Sequence, residues 1–300
     1  MNAISEQMNL LDREYNQLVT QFEPEFGIIW LTMKPSPRPC FTPELLENLR
    51  EAQTLVKATG GMIAINAKLH SLNYLVLNSA VPGTFNLGGD LSLFKSLIVN
   101  WDREKLLRYA TACIDVLYPN IVNYELPITT ISLVQGDALG GGMEAALSSD
   151  IIIAEKHVQM GLPEVLFNLF PGMGAYSLIT RRIGRQKAEQ MILSGRIYSA
   201  EELHDIGLVD VIAESGQGEA AMYDWIKRQH RRRNTAQAMS QVRRRVDPVT
   251  YDELIAVTKI WVEAALRLED KDLRMMDRLV RAQQKLNCEK TLPTSLPMAA

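Results

Sequence analysis

The sequence predicts an α/β fold in which a sheet and helices share one core, followed by a helical C-terminal region. Short β-branched runs, at residues 128–134 and 150–155, have the composition of buried strands. Segments with helical periodicity lie between these runs, and beyond about Gly218 the pattern is helical throughout. Alternation of strands with helices is typical of α/β architectures.

The first third of the chain supplies two further strands and a well-marked helix. We expect residues 1–24 to form an N-terminal extension and residues 26–33 to form the first strand. Thr42 followed by Pro43 is typical of a helix start, so a helix is predicted to about residue 58. After a strand at residues 72–77, a loop with two adjacent glycines, Gly88 and Gly89, precedes long helical sequence.

The second half of the chain has its own helix and strand signals. Ser199 and Glu202 have the spacing of a capping box, and Gly207 is placed to end that helix before a strand at residues 208–212. We expect a core domain over residues 25–218 and a helical subdomain, serving trimerisation or as a lid, over residues 219–287. Residues 288–300 contain two prolines and no apolar period, which predicts a flexible tail.

Composition excludes several functional classes. With 47% hydrophobic residues, 300 residues can bury a full core, and a net charge of -3 gives no general affinity for nucleic acid. The three cysteines lack metal-type spacing, so neither a metal site nor a disulfide scaffold is expected. Without a signal-type N-terminus or an apolar run of ~18 residues, we expect a cytoplasmic protein with no membrane insertion.

The stretch over residues 128–147 is the strongest functional signal. Gly140, Gly141 and Gly142 lie where strand becomes helix, and the first N–H groups of a helix favour an anion. Glu144 follows within the first turn, which suggests proton transfer beside a polarised carbonyl. The alternative is ordinary turn chemistry, with Glu144 complementing the helix dipole.

Four ordered motifs resemble the crotonase, or enoyl-CoA hydratase/isomerase, superfamily over roughly residues 25–285. Residues 85–91 resemble its F-x-x-G-x-D segment and residues 135–144 its oxyanion-helix motif. Residues 160–164 resemble its G-x-P-E segment, and residues 171–174 follow at the expected interval. The resemblance implies a ClpP/crotonase-like spiral of ββα units with a C-terminal helical subdomain.

Carried over residue by residue, the resemblance assigns an oxyanion hole and two acids. The N–H groups of Gly89 and Gly141 match the family's oxyanion hole, and Glu144 and Glu164 match its catalytic carboxylates. Retention of both carboxylates favours addition or elimination of water. In elimination we expect Glu164 to remove the C2 proton of a 3-hydroxyacyl thioester and Glu144 to protonate the departing hydroxyl. From the residues alone, Glu164 is equally compatible with a solvated turn carboxylate.

A finer resemblance is to the diffusible signal factor synthases, the RpfF-type branch of the superfamily. It rests on residues 85–94, 162–177 and 276–283, where ordinary hydratases usually differ. It implies dehydration of a 3-hydroxyacyl-acyl-carrier-protein to a cis-2-enoyl thioester, then hydrolysis to a free cis-2-unsaturated medium-chain acid used as a quorum signal. One oxyanion hole can serve both steps, and the chain has no G-x-S-x-G nucleophile elbow.

Apolar and basic residues complete the predicted site. Five apolar residues are candidates for an acyl tunnel or, alternatively, for plain core: Leu139, Met143, Leu169, Met173 and Trp261. Eight Lys or Arg and no acid lie between Lys227 and Arg245. Six of them are candidates for docking an acidic carrier protein, although most such runs are solvated helix faces: Arg231, Arg232, Arg233, Arg243, Arg244 and Arg245.

Three functional hypotheses therefore remain: a signal-acid synthase, an enoyl-CoA hydratase of fatty-acid breakdown, and a non-catalytic module that binds a partner such as a sensor kinase domain. The resemblance implies no cofactor beyond the phosphopantetheine of acyl-carrier protein or CoA that bears the substrate. It also implies a homotrimer or hexamer, with the C-terminal helices near neighbouring subunits.

Overall fold

The computed structural model describes residues 11–65 and 68–290, with side chains as far as residue 281. The described strands are β1 Arg13–Glu14, β2 Leu18–Glu23, β3 Ile28–Met33, β4 Met62–Ile65, β5 Lys68–Ser71, β6 Tyr74–Ser79, β7 Thr84–Asn86, β8 Thr129–Val134, β9 Asp137–Leu139, β10 Ile151–Glu155, β11 Gln159–Gly161, β12 Ile197–Ser199 and β13 Val211–Ala213.

The helices divide between the core and the C-terminal region. Those described are α1 Pro43–Ala58, α2 Leu91–Val99, α3 Arg103–Ile121, α4 Gly141–Leu147, α5 Ala175–Ile183, α6 Arg185–Ser194, α7 Ala200–Asp205, α8 Gly218–His230, α9 Arg233–Val246, α10 Tyr251–Ala265 and α11 Asp270–Lys290. Two short 3-10 helices span Asn123–Glu125 and Pro163–Phe167.

A seven-stranded sheet, ordered β1-β2-β3-β6-β8-β10-β13, forms the centre of the fold. Its first three strands pair antiparallel, and every pair from β3 to β13 is parallel. A four-stranded sheet, ordered β12-β11-β9-β7, contains β12 and the three strands that directly follow β6, β8 and β10 along the chain. The α/β prediction is therefore confirmed, including the C-terminal helices.

The two faces of the large sheet are covered by different elements. In β6, Tyr74 and Val76 pack in one apolar cluster with Met222 and Ile226 of α8. The alternate residues, Leu75 and Leu77, pack in the main core on the other face. Because successive strand side chains point to opposite faces, α8 covers the face turned away from the main core.

Several local predictions are confirmed. Thr42 caps α1, its side chain accepting the Leu45 N–H at 3.0 Å. Ser199 and Glu202 form the capping box of α7, and Gly207 follows that helix with φ of +87°.

Three boundary predictions need correction. Residues 1–24 are not merely an extension, because β2 begins at Leu18 and pairs with β3 over its whole length. Leu18, the first residue of β2, is fully buried, although the residues before it are mostly polar and did not predict a strand there. Helix α8, placed by sequence in the C-terminal subdomain, packs on the large sheet instead. Helix α11 continues to Lys290, and residues 291–300 of the predicted tail lie outside the described residues.

Helices α10 and α11 cover the outer side of α2 and of the 3-10 helix at residues 163–167. They share an apolar cluster with residues of both, including Leu97 and Phe167. In the part of the chain that the structure describes, no helix has the length and apolar character needed to cross a membrane. The same residues contain no group of three His, Cys, Asp or Glu side chains that could hold a metal ion.

Candidate active site

The glycine junction predicted from sequence is a tight approach of two loops. Gly140 has φ of +54°, and Gly141 begins α4. A Cβ at Gly142 would lie 1.9 Å from the carbonyl oxygen of Asn86, so only glycine fits between α4 and the loop after β7. The glycines therefore serve packing as well as backbone exposure.

The second loop, residues 86–90, is held by a set of directed hydrogen bonds. The side chain of Asn86 accepts the Gly88 N–H at 2.8 Å, and the Gly88 carbonyl accepts the Phe41 N–H at 2.7 Å. The Tyr109 hydroxyl accepts the Asp90 N–H at 3.0 Å and donates to the Phe41 carbonyl. These contacts fix the backbone on both sides of Gly89.

The two loops bring the N–H groups of Gly89 and Gly141 to the same place. A Cβ at Gly141 would lie 3.5 Å from the Gly89 nitrogen, and one at Gly88 would lie 2.8 Å from the Gly141 nitrogen. Among the described residues, neither N–H donates a hydrogen bond to the fold. Two unused N–H donors, one of them at the start of a helix, can stabilise an oxyanion, and losing one such donor typically costs ~3 kcal/mol in catalysis.

Glu144 lies on the first turn of α4 and is 1% exposed. Its Oε1 accepts the N–H groups of Met173, at 2.7 Å, and Ala175, at 2.9 Å. Burial raises the pKa of Glu144 to about 7, and the two N–H donors oppose that rise. The loop before α5 therefore holds this carboxyl in one orientation.

Glu164 lies on the 3-10 helix at residues 163–167 and is half-buried. Its Oε1 sits above Gly140, where a Cβ would come within 2.6 Å. Its Oε2 is buried and has no hydrogen-bond partner within the described residues. Burial, with a further contribution from the negative charge of Glu144, raises the pKa of Glu164 to about 8.

The two carboxyls thus form a coupled pair. Because like charges in a buried site disfavour double ionisation, the pair holds one proton near neutral pH. The ionised form of Glu144 is the better stabilised, since its carboxylate accepts two N–H groups, so the proton resides mainly on Glu164 when no substrate is bound. One acid beside one base is the arrangement that general acid–base catalysis needs.

A mostly apolar cavity of about 230 Å³ opens onto the pair. Its walls include Gly89, Gly141, Glu144 and Glu164, together with four of the five predicted acyl-tunnel residues: Leu139, Leu169, Met173 and Trp261. Met143, the fifth, is fully buried in the main core and is not part of this wall. Its position on α4 turns it away from the cavity that Glu144 faces.

Three further residues of the cavity wall were not predicted from the sequence. Phe94 packs against Trp261 with ring centroids 5.0 Å apart, and Phe167 and Leu279 also line the cavity. Phe94 lies in a motif used for the family resemblance, so a signal for it existed. The sequence contains no such signal for Leu279, because a helical pattern does not show which distant site the helix will contact.

Four of the six predicted docking arginines divide into two groups. Arg244 donates to Asn123 and Ser240, and Arg243 lies 3.7 Å from Asp150, so both help to attach α9 to the core. Arg231 and Arg232 are exposed and line a surface concavity with Lys227, Arg228 and Gln229. This basic concavity is formed by the last turn of α8 and the residues after it, on the sheet face opposite the apolar cavity. Arg233 is half-buried and Arg245 is exposed.

A family model described as Enoyl-CoA hydratase/isomerase matches residues 66–272, which includes both glycine loops and both glutamates. The chain belongs to the enoyl-CoA hydratase/isomerase family. A curated relative, the mitochondrial methylglutaconyl-CoA hydratase of Mus musculus, is 33% identical over 150 residues, which is 49% of this chain and 45% of that protein. The chain thus matches about half the length of such relatives.

Solved structures show the same crotonase fold. An enoyl-CoA hydratase from Bacillus halodurans aligns with a TM-score of 0.71 at 18% identity, covering 88% of this chain and 100% of that one. Pseudomonas aeruginosa DspI aligns with a TM-score of 0.62 at 23% identity, covering 79% and 84% of the two chains. The fold predicted from the four motifs is confirmed.

Proposed function

We propose that this family member interconverts 3-hydroxyacyl and 2-enoyl thioesters, and that its biological substrate is a medium-chain 3-hydroxyacyl-acyl-carrier-protein. The observation that carries the proposal is the pairing of two unused N–H groups with two buried carboxyls that hold one proton. An α-proton beside a thioester becomes removable only when the enolate oxygen is stabilised, and Gly89 and Gly141 supply that stabilisation.

In elimination, Glu164 takes the C2 proton and Glu144 gives a proton to the departing 3-hydroxyl, which leaves as water. Hydration is the reverse, with Glu144 activating water and Glu164 protonating C2. The ligand-free pair, with its proton mainly on Glu164, is the state from which hydration starts. Elimination starts with the proton on Glu144 and with Glu164 ionised. A hydrogen bond donated by protonated Glu144 to the 3-hydroxyl of the substrate would favour this state.

The second step of the proposal is hydrolysis of the cis-2-enoyl thioester, as in the diffusible signal factor synthases that the sequence resembles. A glutamate would take a proton from water as it adds to the thioester carbonyl, and the same two N–H groups would stabilise the tetrahedral oxyanion. When this intermediate collapses, the C–S bond breaks and the carrier thiol leaves with that proton. The free cis-2-unsaturated acid would serve as a quorum signal. Support comes from the cavity wall, since Phe94 and Met173 lie in segments that carry this resemblance.

One assay tests both steps. The protein is incubated with a 3-hydroxyacyl-acyl-carrier-protein and the products are separated by mass spectrometry, with Glu144→Gln and Glu164→Gln as inactive controls. Free cis-2-enoic acid supports the full proposal. A parallel reaction contains trans-enoyl-CoA. Reversible hydration of this substrate, with no free acid released in either reaction, leaves the alternative, an enoyl-CoA hydratase. The names of the curated relatives and the proton on Glu164 in the ligand-free site favour that alternative.

If the Glu144→Gln and Glu164→Gln variants both retain the turnover of wild type, the two-carboxyl mechanism is rejected. Complete inactivity on both substrate classes would instead favour a non-catalytic crotonase-fold module that binds a partner, such as a sensor kinase domain.

A carrier protein would need a cationic surface, and we propose the concavity at Arg231 and Arg232 for it, with four Lys or Arg among its lining residues. Because this surface follows α8 on the far face of the sheet, a carrier docked there would have to deliver its acyl group to the cavity of a neighbouring subunit in the proposed oligomer. Arg231→Glu/Arg232→Glu should lower kcat/KM for the carrier-bound substrate and not for the CoA thioester. Equal activity on both would reject this surface.

The remaining proposals concern assembly and setting. We expect a homotrimer or a hexamer in a cytoplasmic setting, with no cofactor beyond the phosphopantetheine that bears the acyl group. Light scattering that gives a monomer would contradict the assembly.

A further inference from the structure

We propose that Asp272, on α11, is a positioning residue that fixes the catalytic placement of Glu164 through Asn168. The inference rests on the proposed role of Glu164 in proton transfer. It assigns to the C-terminal helix a part in the chemistry, beyond covering the cavity.

Glu164 depends on its backbone for its position. Its Oε2 has no partner among the described residues, whereas Glu144 is held by two N–H groups. The carbonyl of Glu164 accepts the Leu169 N–H at 3.1 Å, and Asn168 ends the short helix in the left-handed conformation, with φ of 61°. The carboxyl therefore moves with the helix at residues 163–167.

That short helix is attached to α11 in two ways. Phe167 and Leu169 share an apolar cluster with Leu273 and Met276 of α11. The polar attachment is the amide of Asn168, which donates to the Oδ2 of Asp272 at 3.3 Å. Apolar contact is non-directional, so the hydrogen bond sets how the short helix is seated along α11.

Asp272 is itself fixed. It is 6% exposed, and its Oδ2 also accepts the Glu269 N–H at 3.0 Å. Five residues further along α11, Asp277 pairs with Lys95 of α2 at 2.6 Å. Because α2 begins directly after Gly89 and Asp90, α11 connects the element that carries Glu164 to the element that follows an oxyanion-hole donor.

The consequence is a fixed separation between base and oxyanion hole. Catalytic groups displaced by about 1 Å lose about 100-fold in rate, so loosening one attachment should lower kcat by about 10- to 100-fold. KM should change less than kcat, because much of the cavity wall, including Leu139, Met173 and Trp261, lies on other elements and remains in place.

The test compares Asn168→Gly, Asp272→Ala and Asp272→Asn in the full-length protein, using hydration of an enoyl-CoA as the activity. Glycine suits the left-handed backbone at position 168 and removes only the amide. Asparagine at position 272 keeps an acceptor oxygen, so this variant should retain turnover. Lys271→Ala, which breaks a surface ion pair with Glu269, the residue before this helix, is the matched control.

A pH profile separates positioning from mere stability. When Glu164 moves away from Glu144, the repulsion that raises its pKa weakens, so the alkaline limb of the kcat profile should move to lower pH in Asn168→Gly. This variant retains the Asp272 charge, so the shift cannot come from losing that charge. Melting temperatures of all variants identify effects that come from unfolding.

The outcomes are distinct. A fall in kcat for Asn168→Gly and Asp272→Ala, with Asp272→Asn and Lys271→Ala near wild type, supports the inference. Wild-type kcat in both loss variants, beside an inactive Glu164→Gln, overturns the inference and leaves the proposed function standing. An active Glu164→Gln overturns both.

Discussion

The carboxylate oxygen Oε1 of Glu164 lies directly above Gly140, at a position where a Cβ on that glycine would come within 2.6 Å of it. Gly140 is also the residue that turns the chain into α4, with φ of +54°. One glycine thus serves both the start of the oxyanion helix and the seat of the second carboxyl. This contact explains why a glycine precedes Gly141, whose N–H is the predicted donor.

Gly140→Ala should displace the Glu164 carboxyl, because its Oε1 cannot remain in non-bonded contact with the new Cβ at 2.6 Å. We expect kcat to fall about 100-fold, with KM nearly unchanged since the apolar wall is intact. The strain of an alanine at φ of +54° and ψ of -128° should also destabilise the fold by about 1–3 kcal/mol. Steady-state kinetics and thermal unfolding measure the two effects separately.

Gly60→Ala is the matched control. Gly60 has φ of +60°, and a Cβ there would meet nothing within 4 Å. This variant should also place an alanine at positive φ, but without loss of kcat. Similar kcat values in the two variants would show that Gly140 does not seat Glu164.

The pH dependence of kcat should be bell-shaped. With the pKa of Glu144 raised to about 7 and that of Glu164 to about 8, both by burial, the singly protonated pair predominates between these values. Below this range both carboxyls are protonated and no base remains; above it both are ionised and no acid remains. Activity that stays flat from about pH 5 to about pH 10 would contradict the coupled pair.

Replacing Glu164 by glutamine should stabilise the fold at alkaline pH. The pKa of Glu164 is raised above its ordinary value of 4.5, so the folded state binds this proton more tightly than the unfolded chain. Its contribution to stability is complete below pH 4.5 and is lost as the pH rises through about 8.

The neutral Glu164→Gln variant escapes that loss, so its free energy of unfolding should exceed that of wild type by at least about 1 kcal/mol near pH 9. The difference should shrink toward pH 5. Denaturant unfolding at both pH values measures it, and an advantage that is independent of pH would contradict the raised pKa.

Tyr109→Phe should loosen the loop that carries Gly89. The Tyr109 hydroxyl joins the Asp90 N–H to the Phe41 carbonyl, and the residue is buried. Phenylalanine keeps the ring contact with Phe94, whose centroid is 5.2 Å away, but leaves both backbone groups unpaired. We expect a loss of about 1–3 kcal/mol in stability and a lower kcat.

Tyr118→Phe is a suitable comparison for that change, since the Tyr118 ring packs edge-to-face against Tyr251, with centroids 5.5 Å apart, on another side of α3. It should leave kcat unchanged. Equal kinetics in both variants would remove the Tyr109 hydroxyl from the support of Gly89.

Local chemistry in the sequence determined much of this fold in advance. Thr42, the capping box and the β-branched runs each act through near neighbours, so their elements were predictable. The strand β2 was missed because what buries Leu18 is pairing with β3 and packing of distant residues. Motif order predicted four residues that the structure places at one cavity, Gly89, Gly141, Glu144 and Glu164. It did not predict Leu279, since α11 reaches the cavity only through tertiary packing.

Trp261 should set the length of acyl chain that the cavity accepts. Its indole is 4% exposed, packs on Phe94, and lies so close to Gly172 that a Cβ there would be 2.6 Å away. Trp261→Phe removes one ring from the wall, so a longer chain gains room. Since one methylene in an apolar pocket is worth about 1–3 kcal/mol, kcat/KM for a substrate two carbons longer should rise about tenfold relative to the preferred wild-type substrate.

Trp101→Phe is the control for that substitution, because Trp101 is 72% exposed and lies outside the cavity wall. Its chain-length profile should match wild type. The measurement is kcat/KM over a series of straight-chain thioesters for all three proteins. An unchanged preference in Trp261→Phe would mean that the acyl chain leaves the cavity before it reaches the indole, so that Leu139 and Met173, beside the oxyanion hole, would be the walls that select it.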